Sequence, residues 1–318
     1  MTQYVTRRFD PSEEEYAAIV RVYNLANPHQ PGSAASWQHW DKHRDPTRLF
    51  RRYVVEVDEE IIGYGFSMKS DPEMANFRFA IFLHPDHQTP ELVENFYKYI
   101  IGECMQNEPA SLVSQVCEDE TQKLDWLKQN GFQQVMRFPV SIMDVSEFDP
   151  TPYDELINKL ARQGIKILSL SELQEEDPDW QQRIYELDSL LNLDVPRSHP
   201  FVPLPFRLYA KTEFEDPHFM PEGWFVALDG RQYIGLTTLE KGTESVEILY
   251  TAFTGVHRAY RRRGIATALK AQSIRFASRI GTRMLQSNNE ENNPMYLLNL
   301  KLGFQPQPAD VDWEMVIK

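Results

Sequence analysis

The sequence predicts an α/β fold in which one unit occurs twice in tandem, each copy with a mixed central sheet flanked by helices. Short apolar segments of strand character alternate with longer segments that carry apolar residues at helical spacing. The chain has 318 residues, which suits two domains of ordinary size. Landmarks recur at a nearly constant distance: Gly131 and Gly303, and Gly63 and Gly235, lie 172 residues apart, and His84 and His257 lie 173 apart.

The first half predicts the following order of elements. Strands are expected at residues 4–9, 52–57, 61–68, 77–83, 111–116 and 135–145. Helices are expected at residues 11–25, 37–43, 89–101 and 121–129. Thr89, Pro90 and Glu91 together form a typical helix start, with a capping hydroxyl, a proline and an early acid.

The second half repeats this order after a turn-rich segment and a connecting helix at 153–163. Strands are expected at residues 166–170, 224–229, 233–240, 246–253, 284–287 and 313–317. Helices are expected at 180–191, at 268–280 and from Asn292 onward. We therefore predict an N-terminal domain at 1–148, a linker with a connecting helix at 149–163, and a C-terminal domain at 164–318.

Composition argues against several classes of protein. The net charge of −14 disfavours a nucleic-acid binder. No apolar run approaches the roughly 20 residues that span a bilayer, and the N-terminus lacks the apolar core of a signal peptide. Cys104 and Cys117 lack metal-ligand spacing, and His39 with His43 lacks a third ligand. We expect a cytoplasmic protein without a metal or a membrane partner. The sequence does not indicate an oligomeric state.

A turn rich in arginine stands out against the acidic background. It runs from Val256 to Thr267, between an apolar strand and an amphipathic helix, and carries Arg258, Arg261, Arg262 and Arg263. A helix start offers free N–H groups and a partial positive charge, which attract anions. Gly264 lets the backbone approach the anion closely, and arginine adds charge-assisted hydrogen bonds to phosphate oxygens. The turn therefore predicts a phosphate site.

Two stretches resemble signatures of the GNAT (Gcn5-related N-acetyltransferase) superfamily. Arg261-x-x-Gly264-x-Ala266 resembles the family's pyrophosphate loop, Gln/Arg-x-x-Gly-x-Gly/Ala. Residues 292–304 resemble its second signature, an asparagine, a helix and a closing Lys-x-Gly-Phe. The resemblance implies a GNAT fold in each half and an acetyl-CoA-dependent N-acetyltransferase. It extends to tandem members such as mycothiol synthase and certain aminoglycoside acetyltransferases.

The resemblance also implies which residues hold acetyl-CoA. The backbone of Phe253, Thr254 and Val256, where a strand splays from its neighbour, would bind the acetyl and pantetheine groups. Asn292 would contact the pantetheine arm. The pyrophosphate would be held by Arg261, Arg262, Arg263, Gly264, Ile265, Ala266 and Thr267. The amine of a small molecule would then attack the thioester directly.

Several groups are candidates for proton transfer. Many relatives carry a tyrosine four residues before the Gly-Phe pair, where this chain has Asn299. Where some relatives place a glutamate, this chain has Tyr250. The nearest carboxylate, Glu247, lies three residues away and so on the opposite face of a strand, which also fits a structural or exposed residue. The candidate bases are Tyr250, Glu247, a water chain and the terminal carboxylate of Lys318.

The acceptor is expected to be a cationic amine, framed by the loop 194–200. Asp194 would attract its ammonium group, although aspartate is also common in such turns. A second hypothesis, supported by Asn299 in place of tyrosine, is a non-catalytic acyl-CoA sensor or scaffold. A third is acetylation of proteins, which an open groove would favour.

The first half lacks the features of a cofactor site. Counted from the two histidines, Gln88 takes the place of Arg261 and Glu91 the place of Gly264. A glutamate brings bulk and negative charge to a phosphate site. We therefore expect the N-terminal half to keep the fold without the cofactor, and to shape the substrate cleft and stabilise the other half.

Overall fold

The computed structural model describes residues 4–69, 75–197 and 201–317. The chain forms two compact units. The first comprises Met1–Phe138 together with Pro308–Lys318, and the second comprises Pro139–Gln307.

Strands follow the alternating and continuous apolar segments of the sequence. In chain order they are β1 (Val5–Arg8), β2 (Phe50–Val57), β3 (Glu60–Lys69), β4 (Asn76–Leu83), β5 (Ser111–Cys117), β6 (Gln133–Asp144), β7 (Ile165–Ser169), β8 (Trp224–Asp229), β9 (Gln232–Glu240), β10 (Ile248–Val256), β11 (Met284–Asn288) and β12 (Gln305–Val316).

In chain order the helices are α1 (Glu13–Ala26), α2 (Ala34–His43), α3 (Pro90–Met105), α4 (Thr121–Gln129), α5 (Thr151–Arg162), α6 (Leu170–Glu176), α7 (Trp180–Asn192), α8 (Phe206–Tyr209), α9 (Ile265–Arg279) and α10 (Pro294–Leu302). Several helices begin at a capping side chain or a proline, among them α1, α2, α3, α5, α6 and α10. A π-helical turn, Ala210–Phe214, follows α8.

The two units share one strand order. In the first it runs β1-β2-β3-β4-β5-β12, and in the second β7-β8-β9-β10-β11-β6. Only the pairs β4–β5 and β10–β11 are parallel among the pairings described. Apolar side chains from both faces of each sheet form the cores. The predicted tandem α/β fold with mixed sheets is thereby confirmed.

The units differ from the domain boundaries that the sequence predicts. The first unit ends its sheet with β12, whose residues Asp310–Val316 pair with β5. The second takes β6, whose residues Val140–Asp144 pair with β11. Each unit thus receives its sixth strand from the other half of the chain, an exchange that strand patterns cannot reveal because they do not encode partners.

The spacing of the repeat also has a structural cause. Glycines 63 and 235 lie in β3 and β9, and the two histidines follow β4 and β10. The register between β9 and β10 shifts between Thr251 and Phe253, which leaves Ala252 as an extra residue in a β-bulge. This bulge accounts for the change in spacing from 172 to 173 residues.

Several elements differ from the sequence expectations, including β12, which begins at Gln305 rather than at residue 313. α6 and the α8 segment with its π-helical turn are not predicted, because they are short and lie in sequence that reads as loop. α9 begins at Ile265, three residues earlier than predicted, directly after the glycine of the arginine turn.

Candidate active site

Strand β10 diverges from β11 partway along its length. The parallel pairing joins Ile248, Leu249 and Tyr250 to Met284, Leu285 and Gln286, and the described pairing ends there. The bulge at Ala252 follows, and β10 continues to Val256 paired only with β9. Beyond Tyr250, the edge of β10 that faces away from β9 has no described strand partner, although side chains of Ser287 and Arg261 donate to Thr251 O and Val256 O. Phe253, Thr254 and Val256, the predicted cofactor-binding positions, lie in this part of β10.

The arginine turn follows the divergent strand and ends in an uncapped helix. A short 3-10 turn, Arg258–Tyr260, leads to the three consecutive arginines and Gly264. Gly264 is the N-cap of α9 in the left-handed conformation, with φ +86°, and no side chain caps the helix. The amides of Ile265, Ala266 and Thr267 thus lack a capping acceptor, which is the arrangement that binds anions.

Glycine is required at position 264 for two reasons. The positive φ disfavours side chains there. In addition, a Cβ atom would lie 2.8 Å from Leu156 Cδ1 of helix α5. The pattern Arg-x-x-Gly-x-Ala is therefore a conformational as well as a chemical requirement.

Two arginines of the turn pair with Asp194 at the end of α7. Arg258 Nε donates to Asp194 Oδ1 at 3.0 Å, and Arg261 forms a further ion pair with the same carboxylate. These hydrogen bonds lower the pKa of Asp194 to about 2, with Arg258 the main cause. Arg261 Nε also donates to Val256 O at 2.9 Å. Asp194, expected to receive the amine, instead contacts the arginines of the phosphate turn.

The other two arginines lie on the surface of the turn. Arg262 adopts a left-handed φ of +63° and is exposed. Arg263 is exposed and donates to Gln163 Oε1 at 3.2 Å. Both side chains can reorient toward an anion at low cost, because neither is part of an ion pair with a described carboxylate.

The polar side chains of the second signature, residues 292–304, form hydrogen bonds with residues close to them in sequence. Asn292 is exposed, and its side-chain amide donates to Glu290 Oε1 at 2.8 Å. Asn293 caps α10 by accepting from the amide of Met295 at 3.0 Å. Asn299 is fully buried and donates to Asn289 Oδ1 at 2.8 Å. An amide at this position supplies no acidic proton for a departing thiolate.

The two candidate bases differ in surroundings. Glu247 precedes β10, is exposed, and accepts from Arg283 Nε at 2.9 Å, as expected of a surface ion pair. Tyr250 is half-buried and pairs directly with Glu240 on one side and Gln286 on the other. The third candidate, the carboxylate of Lys318, lies outside the described residues, as do residues 198–200 of the acceptor loop.

A group of acidic residues near Tyr250 is missed by the sequence expectations. Asp188 lies on α7, Glu213 in the π-helical turn, and Glu240 at the end of β9. Tyr209 hydrogen-bonds to Asp188. Burial, and then the neighbouring carboxylates, raise the pKa of Glu213 to about 8 and that of Glu240 to about 7. Burial likewise raises the pKa of Asp188 to about 6.

These three acids differ in how much of their surface is accessible. Glu240 keeps accessible surface although the surrounding protein desolvates its carboxylate. Asp188 and Glu213 are half-buried. These acids carry only a weak signal in the sequence, because Asp188 follows the apolar Leu187 on a helix and Glu240 ends an apolar strand. Carboxylates with perturbed pKa values are typical of functional sites.

The N-terminal half begins its corresponding helix differently. His84 and His257 each accept a hydrogen bond from the amide two residues later. Yet α3 begins sooner after its histidine than α9 does, so Thr89, rather than Glu91, occupies the N-cap place of Gly264. Thr89 Oγ1 accepts from the amide of Leu92 at 3.2 Å.

Other sites are not apparent in the described residues. His43 Nδ1 contacts the carbonyl oxygen of His39 at 3.0 Å. Over residues 4–69, 75–197 and 201–317, no group of three or more His, Cys, Asp or Glu residues is arranged to hold a metal ion. Cys104 and Cys117 are free. Within the same ranges, none of the helices has the length and apolarity that crossing a bilayer requires.

Comparison with known proteins identifies the fold and the family signature. Residues 180–304 match the model of the Acetyltransferase (GNAT) family. A tandem GNAT protein from the clavulanic acid biosynthesis pathway has a TM-score of 0.75 at 16% identity, covering 99% of this chain and 98% of that one. A GCN5-related N-acetyltransferase from Sphaerobacter thermophilus has a TM-score of 0.68 at 17% identity, covering 99% and 96%. No curated protein sequence matches the chain significantly.

These similarities concern the fold of the whole chain and the family signature of residues 180–304. The predicted resemblance to the GNAT superfamily is confirmed, and the chain has the fold of tandem GNAT proteins. The matched segment includes the divergent strand, the arginine turn and the start of α9.

Proposed function

We propose that the C-terminal half is an acetyl-CoA-dependent N-acetyltransferase that acts on a primary amine of a small molecule. The observation that carries this proposal is the uncapped, glycine-started helix α9. It follows a bulged strand that diverges from its parallel neighbour, and both lie inside the GNAT match.

The residues present fit acetyl-CoA. The free amides of Ile265, Ala266 and Thr267 and the arginines at 261–263 suit a pyrophosphate. The backbone of Phe253, Thr254 and Val256 suits an extended amide-bearing arm, since it lacks a second strand partner. Asn292 is exposed and would contact the same arm after releasing Glu290.

Bound acetyl-CoA supplies the acetyl group as a thioester. The chain's own residues bind and orient the reactants, which favours direct transfer in a ternary complex. Tyr250 lies beside the divergent strand and remains a candidate proton acceptor. Glu247 is the weaker candidate because Arg283 pairs with its carboxylate on the surface.

The N-terminal half is proposed to bind no cofactor. Thr89 caps α3, and Pro90 has no N–H to donate. The amides that would bind a phosphate are therefore partly occupied or missing. We retain the division at 1–148, 149–163 and 164–318 as a description of the sequence repeat.

The test is a titration of acetyl-CoA and CoA into the purified chain, followed by release of CoA thiol in the presence of primary amines. We expect binding at one site and amine-dependent thiol release. Absence of binding at millimolar acetyl-CoA would contradict the proposal.

A second function is favoured by one observation. Asn299 is buried where many relatives carry a tyrosine, so a proton donor for the thiolate is missing at that position. A non-catalytic acyl-CoA sensor would bind acetyl-CoA equally well but release no thiol with any amine. The same assay separates the two functions.

A further inference from the structure

The acidic residues and Tyr250 lie on one face of the second sheet. Glu240 pairs with Tyr250, and Tyr250 pairs with Gln286. Directly paired residues on neighbouring strands project from the same face. Thr238, two residues before Glu240, shares that face. The helix α7 and the π-helical turn bring Asp188 and Glu213 to the same region, since their carboxylates interact with that of Glu240 or with each other.

Two buried polar atoms on this face have no hydrogen-bond partner among the residues that the structure describes. Thr238 is 3% exposed and its Oγ1 makes no hydrogen bond. Gln286 is 7% exposed and its Oε1 makes none. A buried polar atom without a partner destabilises the folded state. Unsatisfied acceptors of this kind, beside a row of carboxylates, indicate a ligand that donates hydrogen bonds.

The charges of this face favour a cationic ligand. His218 and Lys241 form their described ion pairs with Glu244, and within the described part of the chain no ion pair joins a basic side chain to Glu213 or Glu240. Arg197 is the cation that acts on Asp188. Asp216 adds a further carboxylate that interacts with Glu213 and Glu240. Asp188, Glu213 and Glu240 come from three elements, and a ligand with two ammonium groups would favour the ionised form of all three carboxyl groups.

We propose that this face is the acceptor site, and that it binds a small molecule with two ammonium groups. Asp188 and Glu213 hold the ammonium that is retained. Glu240 lies beside Tyr250 of the divergent strand and binds the group to be acetylated. This inference rests on the proposed acetyltransferase function and names its substrate class.

Glu240 also accepts the proton that must leave. An N–H bond of the bound ammonium breaks and an O–H bond forms on a Glu240 carboxylate oxygen. The ammonium becomes a neutral amine with a free electron pair, and the carboxylate becomes a neutral acid. Burial and the neighbouring Asp216 and Asp188 raise the pKa of Glu240 to about 7, which suits such a transfer near neutral pH.

Binding tests the site without turnover. In the absence of acetyl-CoA, 1,4-diaminobutane should bind the full chain at least about 10-fold more tightly than n-butylamine, the length-matched monoamine. Glu213→Gln should reduce this preference several-fold. Glu186→Gln changes an exposed acid two residues from Asp188 on the same helix and should leave it unchanged. Equal affinities for the two amines, or no binding of either, would overturn the inference.

Steady-state kinetics test the two roles separately. Glu213→Gln should raise KM for 1,4-diaminobutane and leave KM for n-butylamine nearly unchanged. Glu240→Gln should lower kcat and remove the acidic limb near pH 7 from its pH profile. Preferential acetylation of poly-L-lysine over the diamine would also contradict a small-molecule site. Normal acetyl-CoA binding with any of these failures would leave the proposed function intact and discard only the acceptor class.

Discussion

The two halves of the chain share a strand order but differ where one helix begins. In the C-terminal half, α9 starts at the left-handed Gly264 with its first amides uncapped. In the N-terminal half, the hydroxyl of Thr89 caps α3, and its first residue is Pro90. A few residues thus decide whether the same fold offers an anion site, because the strands and the helix are present in both halves.

The sheets differ at corresponding positions as well. β4 pairs with β3 without a shift, whereas β10 carries the bulge at Ala252. In the first unit the row beside β4 joins Met68 to Arg78, and Arg78 forms a two-pronged ion pair with Asp312. In the second unit the matching row carries Glu240 and Tyr250. In the first unit this row contains an ion pair between Arg78 and Asp312, whereas in the second unit it contains Glu240, a carboxyl group with a raised pKa.

The largest expected effect comes from removing the ion pair between Arg78 and Asp312. Arg78→Met removes both hydrogen bonds from the arginine to Asp312, which is only 1% exposed. Among the described side chains, Gln115 then remains as a donor to this carboxylate. Removing one partner of a buried pair costs about 3 kcal/mol or more of unfolding free energy. Urea unfolding measures this loss. Arg21→Met removes an exposed pair with Glu60 and should cost under about 1 kcal/mol. Equal losses of unfolding free energy in the two variants would contradict a special role for the buried pair of Arg78 and Asp312.

The next largest effect is expected from replacing Gly264, the residue directly before α9. Gly264→Glu introduces strain, a contact with Leu156 and a negative charge at the anion site. We expect acetyl-CoA affinity to fall about 100-fold, since several charge-assisted hydrogen bonds are lost. Titration calorimetry measures the change. Gly281→Glu is the matched control, because Gly281 also has a positive φ of +83° but meets nothing within 4 Å. A similar loss in both variants would mean that strain, and not the anion site, is responsible.

A smaller effect concerns the arginines of the turn. Arg262→Glu should weaken acetyl-CoA about 10-fold, because it replaces an exposed cation beside the pyrophosphate site by an anion. The loss should shrink as salt is raised from 50 mM to 500 mM. Arg279→Glu alters an exposed arginine at the far end of α9 and should leave affinity within about twofold. Salt-independent or equal losses would contradict a role in binding phosphate.

Substitution of Asp194 is expected to strengthen acetyl-CoA binding rather than weaken it. It competes with a phosphate for Arg258 and Arg261. Asp194→Asn should release both arginines and tighten acetyl-CoA binding about threefold, which the same titration detects. Weaker acetyl-CoA binding would indicate that the carboxylate positions the arginines. Unchanged acetyl-CoA binding together with lost amine binding would restore the ammonium role that the sequence suggests.

The smallest effect is a change in how stability depends on pH. The folded protein raises the pKa of Glu213 from 4.5 to about 8, mainly by burial. The folded state therefore holds a proton that the unfolded state releases between these values, so this group makes stability fall as pH rises through that window. Glu213→Gln should raise Tm relative to the parent at pH 8.5 but not at pH 4. A constant difference across pH would contradict a perturbed carboxyl.

The sequence predicts most of the fold, because each element carries a local signal. The bounds of α4 agree with the expectation at 121–129. The exchange of β6 and β12 between the units is not predicted, since apolar alternation marks a strand but not its partner. α6 and the π-helical turn are also missed, because they are too short for a periodic pattern.

The candidate site divides in the same way. The arginine turn is contiguous in sequence, so its motif is readable, and the structure brings it next to the splayed strand. The acids at 188, 213 and 240 come from three separate elements, and only the fold assembles them. Asp194 illustrates the limit: its residue type suggests attraction to a cation, but the cations it meets are arginines of the same unit.

The most direct test of the contrast between the halves is the stoichiometry of acetyl-CoA binding by calorimetry. One site per chain is expected, abolished in Gly264→Glu and retained in Thr89→Val, which changes only the N-terminal helix cap. Two sites per chain, or binding that depends on Thr89 and survives Gly264→Glu, would contradict the assignment of the cofactor to the C-terminal half.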